Sequence, residues 1–337
     1  MKQMKSDLRP YAPVDTLFTL SASELRKARD QRTYLALSLS DRSGGIKGYL
    51  WTNPDEIAES LTPGMYVHLQ GQAKPHNDTL IISIESIRRA GEEEVDISDF
   101  LSVVPGGVDL WMDRLREHIK LIKDTNCWSL VKTFFADAGF QEAFKTSPAG
   151  MTVHHNYIGG LLEHSVNTMS HAAHMAEKYP ALLDRDLLLT GSLLHDIGKI
   201  REMTGGMTRT YTTEGKLLGH IPLGYIMLEE RLHMIKGFPS DLGLLLKHMI
   251  LSHHGNLEYG SPVRPATAEA LALHHIENLD AKMNHLYNYF ESCQPDQEWT
   301  PFDKFLSTEI YRGRYRMTLR QSPELEEAVS RRQVGEA

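Results

Sequence analysis

The chain has 337 residues, 41% of them hydrophobic and 24% charged, a length and balance that suit two soluble globular domains. Its formal net charge of −8 excludes a global positive field, so a nucleic-acid partner would have to be held by local patches or metal ions. Two distant cysteines, Cys127 and Cys293, exclude a disulfide framework. The lack of a long apolar run or a signal-peptide core points to a cytoplasmic protein with no membrane partner.

Residues 14–90 read as five short strands with one helical interruption. Over 33–39, Leu35, Leu37 and Leu39 share one face and Tyr34, Ala36 and Ser38 the other. Residues 41–45 are turn chemistry and extended structure resumes over 46–51, which predicts a hairpin. A short helix is expected over 54–60, a turn over 61–64, a strand over 65–70, a turn over 74–78 and a last strand over 80–87. This pattern suits an OB-type β-barrel. Alternation from Ile46 puts Lys47, Tyr49 and Trp51 on one face, and aromatics beside a cation suit a single strand whose bases stack and whose phosphates pair. The competing reading has Trp51 closing one end of the barrel core. With 12 Lys/Arg against 10 Asp/Glu in residues 1–90, the charge of this domain permits nucleic acid without requiring it.

Residues 91–100 are acidic and mark a linker. Helical periodicity begins at Val108, with Leu110, Leu115, Ile119 and Ile122 on one face, and a second helix is expected over 128–138. After the break at 148–150, helices are predicted over 158–179, 186–200, 221–236, 242–252 and 267–290. Residues from 301 onward form an appendage with a basic cluster, Arg312, Arg314, Arg316 and Arg320. The expected organisation is an OB-type barrel over 1–92, a linker with connecting helices over 93–149, an all-α helical bundle over 150–295 and the appendage over 296–337.

Of the 17 histidines, 14 lie between residues 151 and 290, and histidine is the commonest metal ligand. The strongest local signal is His195-Asp196-Ile197-Gly198-Lys199. It follows a helix that is apolar at Leu188, Gly191 and Leu194, so His195 and Asp196 fall on or beside a buried stripe. A buried, unpaired carboxylate is expensive, and a divalent cation removes that cost. Asp280 repeats the argument on the last helix, at the edge of a stripe through Ala272, Ile276, Leu279, Met283, Leu286 and Phe290. His164 sits near an apolar face of the first helix of the bundle. Each residue alone also reads as a hydrated or hydrogen-bonded helical side chain; the ordered set does not.

This set resembles the HD-domain phosphohydrolase superfamily, through His164 in Leu161-Leu162-Glu163-His164-Ser165, the pair His195-Asp196, and Asp280 in Asn278-Leu279-Asp280-Ala281-Lys282. The resemblance implies a first metal held by His164, His195, Asp196 and Asp280. Gly219-His220-Ile221-Pro222 and His253-His254-Gly255 look like the extra histidines of binuclear members, with Asp196 bridging two ions. There His220 and His253 are the first choices, and His254 replaces or joins His253. His220 as a simple helix-start residue and His254 as an outer donor are the alternatives. Gly160 stands where trinuclear relatives carry a glutamate, which argues against a third metal.

Over most of residues 15–290 the chain is similar to the YhaM-type 3′-to-5′ exoribonuclease family, which places an OB-like domain before an HD domain. The residues that carry this are the run from His154 to His164, His253-His254-Gly255 with Gly260-Ser261-Pro262, and Leu279 to Lys282. The expected function is therefore metal-dependent exonuclease action on single-stranded RNA, extending to DNA. Metal-activated water would attack phosphorus, with Asp196, His195 and Lys199 as the catalytic set. Lys199 would contact the phosphate or instead pair with a carboxylate. His154 and His155 would flank the pocket as substrate contacts, or be ordinary loop histidines. Two ions are expected, manganese first, with iron, cobalt, nickel or zinc also accepted by such ligands. A homo-oligomer is open. The alternative function is a phosphohydrolase for nucleotides or cyclic dinucleotides with a regulatory OB-like domain. Against it, Gly224-Tyr225-Ile226 matches only two positions of the Gly-Tyr-Pro signature of cyclic-dinucleotide enzymes.

Overall fold

The expected strands are present and close on themselves. The computed structural model describes residues 3–28, 30–76, 79–96, 99–100, 103–150, 155, 157–204, 210–293 and 297–313. His154, Arg314, Arg316 and Arg320 lie outside them. The chain divides into two compact units, the first built on residues 1–102 and the second on residues 103–205 and 210–337.

In the first unit, β1 (Pro13–Lys27), β2 (Thr33–Asp41), β3 (Gly44–Leu50), β4 (Tyr66–His76) and β5 (Thr79–Arg89) form a closed barrel in the order β1-β2-β3-β5-β4. All pairings are antiparallel except β3 with β5. Closure removes the exposed edges that an open sheet would carry. Strand alternation fills the interior: Leu35, Leu37 and Leu39 of β2 are buried with Phe18, Leu20, Leu69 and Ile82. The β2–β3 hairpin turns at Arg42-Ser43, where Asp41 Oδ1 accepts from the Ser43 backbone N–H at 2.7 Å. Helix α1 (Pro54–Ser60) lays Ile57 and Ala58 on the barrel core. Leu50 is buried in that core, whereas Trp51 lies just past the strand and is 44% exposed. The barrel is therefore closed without Trp51.

The second unit is helical: α2 (Val108–Ile119), α3 (Thr125–Phe135), α4 (Ala138–Thr146), α5 (Gly160–Lys178), α6 (Arg185–Leu194), α7 (Lys199–Glu202), α8 (Thr213–Leu218), α9 (His220–His233), α10 (Ser240–Ser252) and α11 (Ala268–Ser292). An OB-type barrel followed by a helical bundle is the fold class expected from the pattern. Helices α2 to α4, expected as connectors, instead share one core with α5, α6 and α11 through Trp111, Leu115, Phe134 and Phe144.

Two differences bear on the site. The helix expected over 186–200 stops at Leu194, because residues 194–200 bond three apart: Ile197 N–H to Leu194, Lys199 to Asp196 and Ile200 to Ile197. Both His195 and Asp196 are buried in this tightened turn. On α11, Leu279 and Met283 are exposed, and the buried face runs through Ala270, Leu273, Ile276, Glu277, Asp280 and Ala281. Asp280 thus lies within the buried stripe, not at its edge.

Candidate metal centre

Asp196 is the centre of the arrangement. Its Oδ2 lies 3.4 Å from His195 Nε2 and 3.6 Å from His164 Nε2, and its Oδ1 lies 3.5 Å from His253 Nε2 and 3.6 Å from His220 Nε2. Each carboxylate oxygen faces a different pair of imidazoles. These gaps exceed hydrogen-bond lengths. They match the spacing of two ligands that share an ion at about 2.1 Å from each.

The ring tautomers make the same point. His195 Nδ1 donates to the Ser192 carbonyl at 2.8 Å and His253 Nδ1 to the Ile250 carbonyl at 2.7 Å, since a carbonyl only accepts. His254 Nδ1 donates to the Tyr259 carbonyl at 2.7 Å, and His164 Nδ1 to Asp280 Oδ2 at 2.6 Å. A ring so bonded, when neutral, turns its Nε2 lone pair toward the centre; burial would lower His195, but the Asp196 carboxylate outweighs it and raises this imidazole above its usual range. His164 Nε2 and His195 Nε2 stand 3.0 Å apart, a gap closed by a proton on one of the two rings or by a cation that takes both lone pairs. Asp196 Oδ1, His220 Nε2 and His253 Nε2 are buried and make no hydrogen bond among the described residues. Orphaned donor atoms of this chemistry fit a divalent cation.

Among the described residues, three groups have ligand atoms close enough to hold an ion: His164 with His195 and Asp196; His220 with His253 and His254; and His155 with His164 and Asp280. The structure therefore brings both His253 and His254 to His220. Asp280 does not join the cluster at Asp196. It lies on the Nδ1 side of His164, and its Oδ1 accepts from Asn167 Nδ2 at 3.0 Å.

Burial pushes the His164 imidazole down to about 4 against the pull of Asp280. Burial, then the neighbouring His220, takes His254 to about 4, and burial with His254 holds His253 well below the usual range. All three rings are neutral near pH 7, as ligation requires. Burial would raise the Asp196 carboxyl, but the Lys199 ammonium and His195 hold it well below the usual carboxylate range. Lys199 Nζ donates to Asp196 Oδ2 at 2.6 Å, so the pairing alternative is present. An ammonium has three donors, and two make no hydrogen bond among the described residues.

His155 departs from the expected substrate contact. It is fully buried, with Nε2 2.8 Å from Asp280 Oδ2 and Nδ1 3.0 Å from Glu163 Oε2. Burial alone would push this imidazole down; the hydrogen bonds to Asp280 and Glu163 outweigh it and raise it to about 9.

Glycines set the approach of the loops. A Cβ at Gly198 would overlap the His220 carbonyl oxygen, so the turn after Asp196 lies directly on the start of α9. Gly198 thus serves close packing. Several participants carried no signal in the sequence. Glu202 Oε1 accepts from the His220 backbone N–H at 3.0 Å and from His220 Nδ1 at 3.3 Å. Glu277, one turn before Asp280, is buried, and burial followed by the charge of Asp196 takes it up to about 7. A lone helical glutamate has no spacing that announces it.

On the barrel, Ala28, Tyr34, Tyr49, Trp51, Lys74, His76, Ile81 and Ser83 line a groove of about 470 Å³. Tyr34 stacks on Trp51 with ring centroids 4.7 Å apart, and Tyr49 meets Tyr34 edge-on at 5.7 Å. Lys47, expected beside the aromatics, donates to Ser38 Oγ at 2.7 Å on the same outer face. Alternation put Tyr34 on the face opposite Leu35, Leu37 and Leu39, but nothing in its own strand announces that it meets Tyr49 and Trp51 across the sheet. Arg312 lies 5.8 Å over the Phe290 ring and donates to the Gln297 carbonyl.

The family models agree with the two units. Residues 161–282 match the HD domain and residues 21–90 an OB-fold nucleic acid binding domain. No helix among the described residues is long and apolar enough to cross a membrane. The chain is 34% identical to the 3′-5′ exoribonuclease YhaM of Bacillus subtilis over 285 residues, covering 84% of this chain and 90% of that protein. It is 35% identical to YhaM of Bacillus licheniformis over the same shares, and 36% identical to YhaM of Oceanobacillus iheyensis over 79% of this chain and 83% of that one. At this identity and coverage, with both domains matched, the chain belongs to the YhaM family of 3′-5′ exoribonucleases.

Proposed function

We propose that this chain is a metal-dependent 3′-to-5′ exoribonuclease for single-stranded RNA, and that the site around Asp196 holds two divalent ions, manganese by preference. The observation that carries the two-ion reading is the split of Asp196, whose oxygens face separate histidine pairs. His164 and His195 serve one ion, His220, His253 and His254 the other, and Asp196 both. Bound divalent ions lower the pKa of water and neutralise charge on a phosphodiester.

The chain's own residues supply the rest. Asp196 keeps its negative charge between the two histidine groups. The backbone carbonyls of Ser192, Ile250 and Tyr259 fix the tautomers that turn Nε2 inward. Lys199 anchors Asp196 with one N–H and offers its other donors to a phosphate oxygen, where preorganised charge lowers the barrier. On the barrel, Tyr49 and Trp51, joined by Tyr34, stack on bases, and Lys47 and Lys74 pair with phosphates.

The test is shortening of end-labelled single-stranded RNA and DNA with manganese, cobalt, nickel or magnesium. RNA labelled at its 5′ end should give a descending ladder with manganese and none with EDTA. Hydrolysis of free nucleotides without shortening of RNA would defeat the reading.

A further inference from the structure

His155 is fully buried and held from three sides. Its Nε2 donates to Asp280 Oδ2 at 2.8 Å on α11, and its Nδ1 lies 3.0 Å from Glu163 Oε2 on α5. The Tyr157 hydroxyl, 3.0 Å from the same Nδ1, donates to Glu163 and accepts from Asn284 Nδ2 at 2.9 Å. Asn284 Oδ1 in turn accepts the His155 backbone N–H at 2.8 Å. The residue keeps a left-handed backbone, φ 45°, a strained state that persists only where the surroundings over-determine it. Gly160 makes room for this loop, because a Cβ there would overlap the His155 carbonyl oxygen.

The consequence falls on Asp280. Its Oδ2 is shared between His155 Nε2 and His164 Nδ1. Without His155, this oxygen loses one of its two imidazole contacts and the carboxylate is freer to turn. With only Asn167 left to hold the other oxygen, the acceptor that keeps the His164 proton on Nδ1 and its Nε2 toward His195 and Asp196 is less firmly placed.

We propose that His155 is a positioning residue for the metal centre: braced by Glu163 and Tyr157, it pins Asp280 on His164 and so keeps the His164 Nε2 aimed at the Asp196 cluster. This rests on the reading that the cluster binds divalent ions.

The test is calorimetric titration of Mn²⁺ into the metal-stripped full-length chain, for the wild type, His155→Ala and Tyr157→Phe. Outer partners of a metal-bound histidine are worth about 10–100-fold in metal affinity. His155→Ala should therefore weaken Mn²⁺ binding by about that factor with the number of ions unchanged, and Tyr157→Phe should shift it the same way by less. The Mn²⁺ concentration for half-maximal RNA cleavage should rise in step, while kcat at saturating Mn²⁺ is retained. Wild-type Mn²⁺ affinity in both variants overturns the proposal. So does loss of one whole ion from His155→Ala, which would make His155 a ligand in its own right. Should His155→Ala fail to fold by circular dichroism, Tyr157→Phe decides, and unchanged affinity there overturns it. A wild-type chain that binds no Mn²⁺ defeats instead the reading of the cluster as a metal centre, and this inference with it.

Discussion

The pair Lys199–Asp196 offers a test that separates a structural ion pair from a metal-facing one. The two groups are 2.6 Å apart with side chains 7% and 1% exposed. Lys199→Met keeps the volume and removes the charge. Breaking a buried pair from one side costs about 3–5 kcal/mol, because the remaining charge stays buried without its partner. For a unit of this size, each kcal/mol lowers the Tm by about 2–4 °C, so a drop of about 6–20 °C is expected in EDTA. Asp196 Oδ1 makes no hydrogen bond among the described residues, so a divalent ion there supplies the counter-charge that Lys199 no longer provides. A ligand bound only by the folded state stabilises it by RT ln(1 + c/Kd) at free ligand concentration c, and the variant, with no ammonium at Asp196, gains more from the ion than the wild type. The deficit should therefore shrink to a small fraction in saturating Mn²⁺. Differential scanning calorimetry of both proteins in both conditions measures this directly. RNA cleavage by the variant should remain down by about 100–1,000-fold even with Mn²⁺, as for loss of one preorganised donor. An equal Tm deficit with and without Mn²⁺ would refute the placement of an ion at Asp196. No deficit in EDTA would refute the ion-pair argument itself.

Asp196→Asn should lower Mn²⁺ stoichiometry at both sites together, because its two oxygens face both histidine groups. His220→Gln should remove only one ion, since it faces Oδ1 alone; calorimetry reads both, and loss of a single ion in Asp196→Asn would contradict the bridging geometry. On the barrel, Tyr34→Ala and Trp51→Ala should each weaken binding of a single-stranded oligonucleotide by about 5–150-fold, the value of about 1–3 kcal/mol per stacked base. Fluorescence anisotropy at fixed salt checks this, and unchanged affinity in both variants would remove the groove from the binding surface.

Much of the site was legible because its signals are local. His195-Asp196 with Lys199 three residues on, and the pair His253-His254, are short motifs that survive without knowledge of distant contacts. The choice between His253 and His254 was not legible, and the structure brings both rings to His220. The stripe on α11 was displaced by one position, because periodicity defines a face only to within a residue or so of rotation. That small rotation moves Leu279 and Met283 out to solvent and Asp280 inward. The roles of Glu163 and Glu202 were invisible, since a helical carboxylate looks the same whether it faces water or a histidine.

The sequence by itself determined the two-part architecture, the alternating interior of the barrel and the local signal at His195-Asp196, while the wider ligand set came from the family resemblance. The first three follow from periodicity or chemistry within a few residues. Only the tertiary structure decided which atoms meet. His164 and His195 are 31 positions apart and His155 and Asp280 are 125 apart, yet each pair closes to 3.0 Å or less. Such distances are set by how the helices of one core pack, with Gly160 and Gly198 admitting the loops, and no local pattern encodes them.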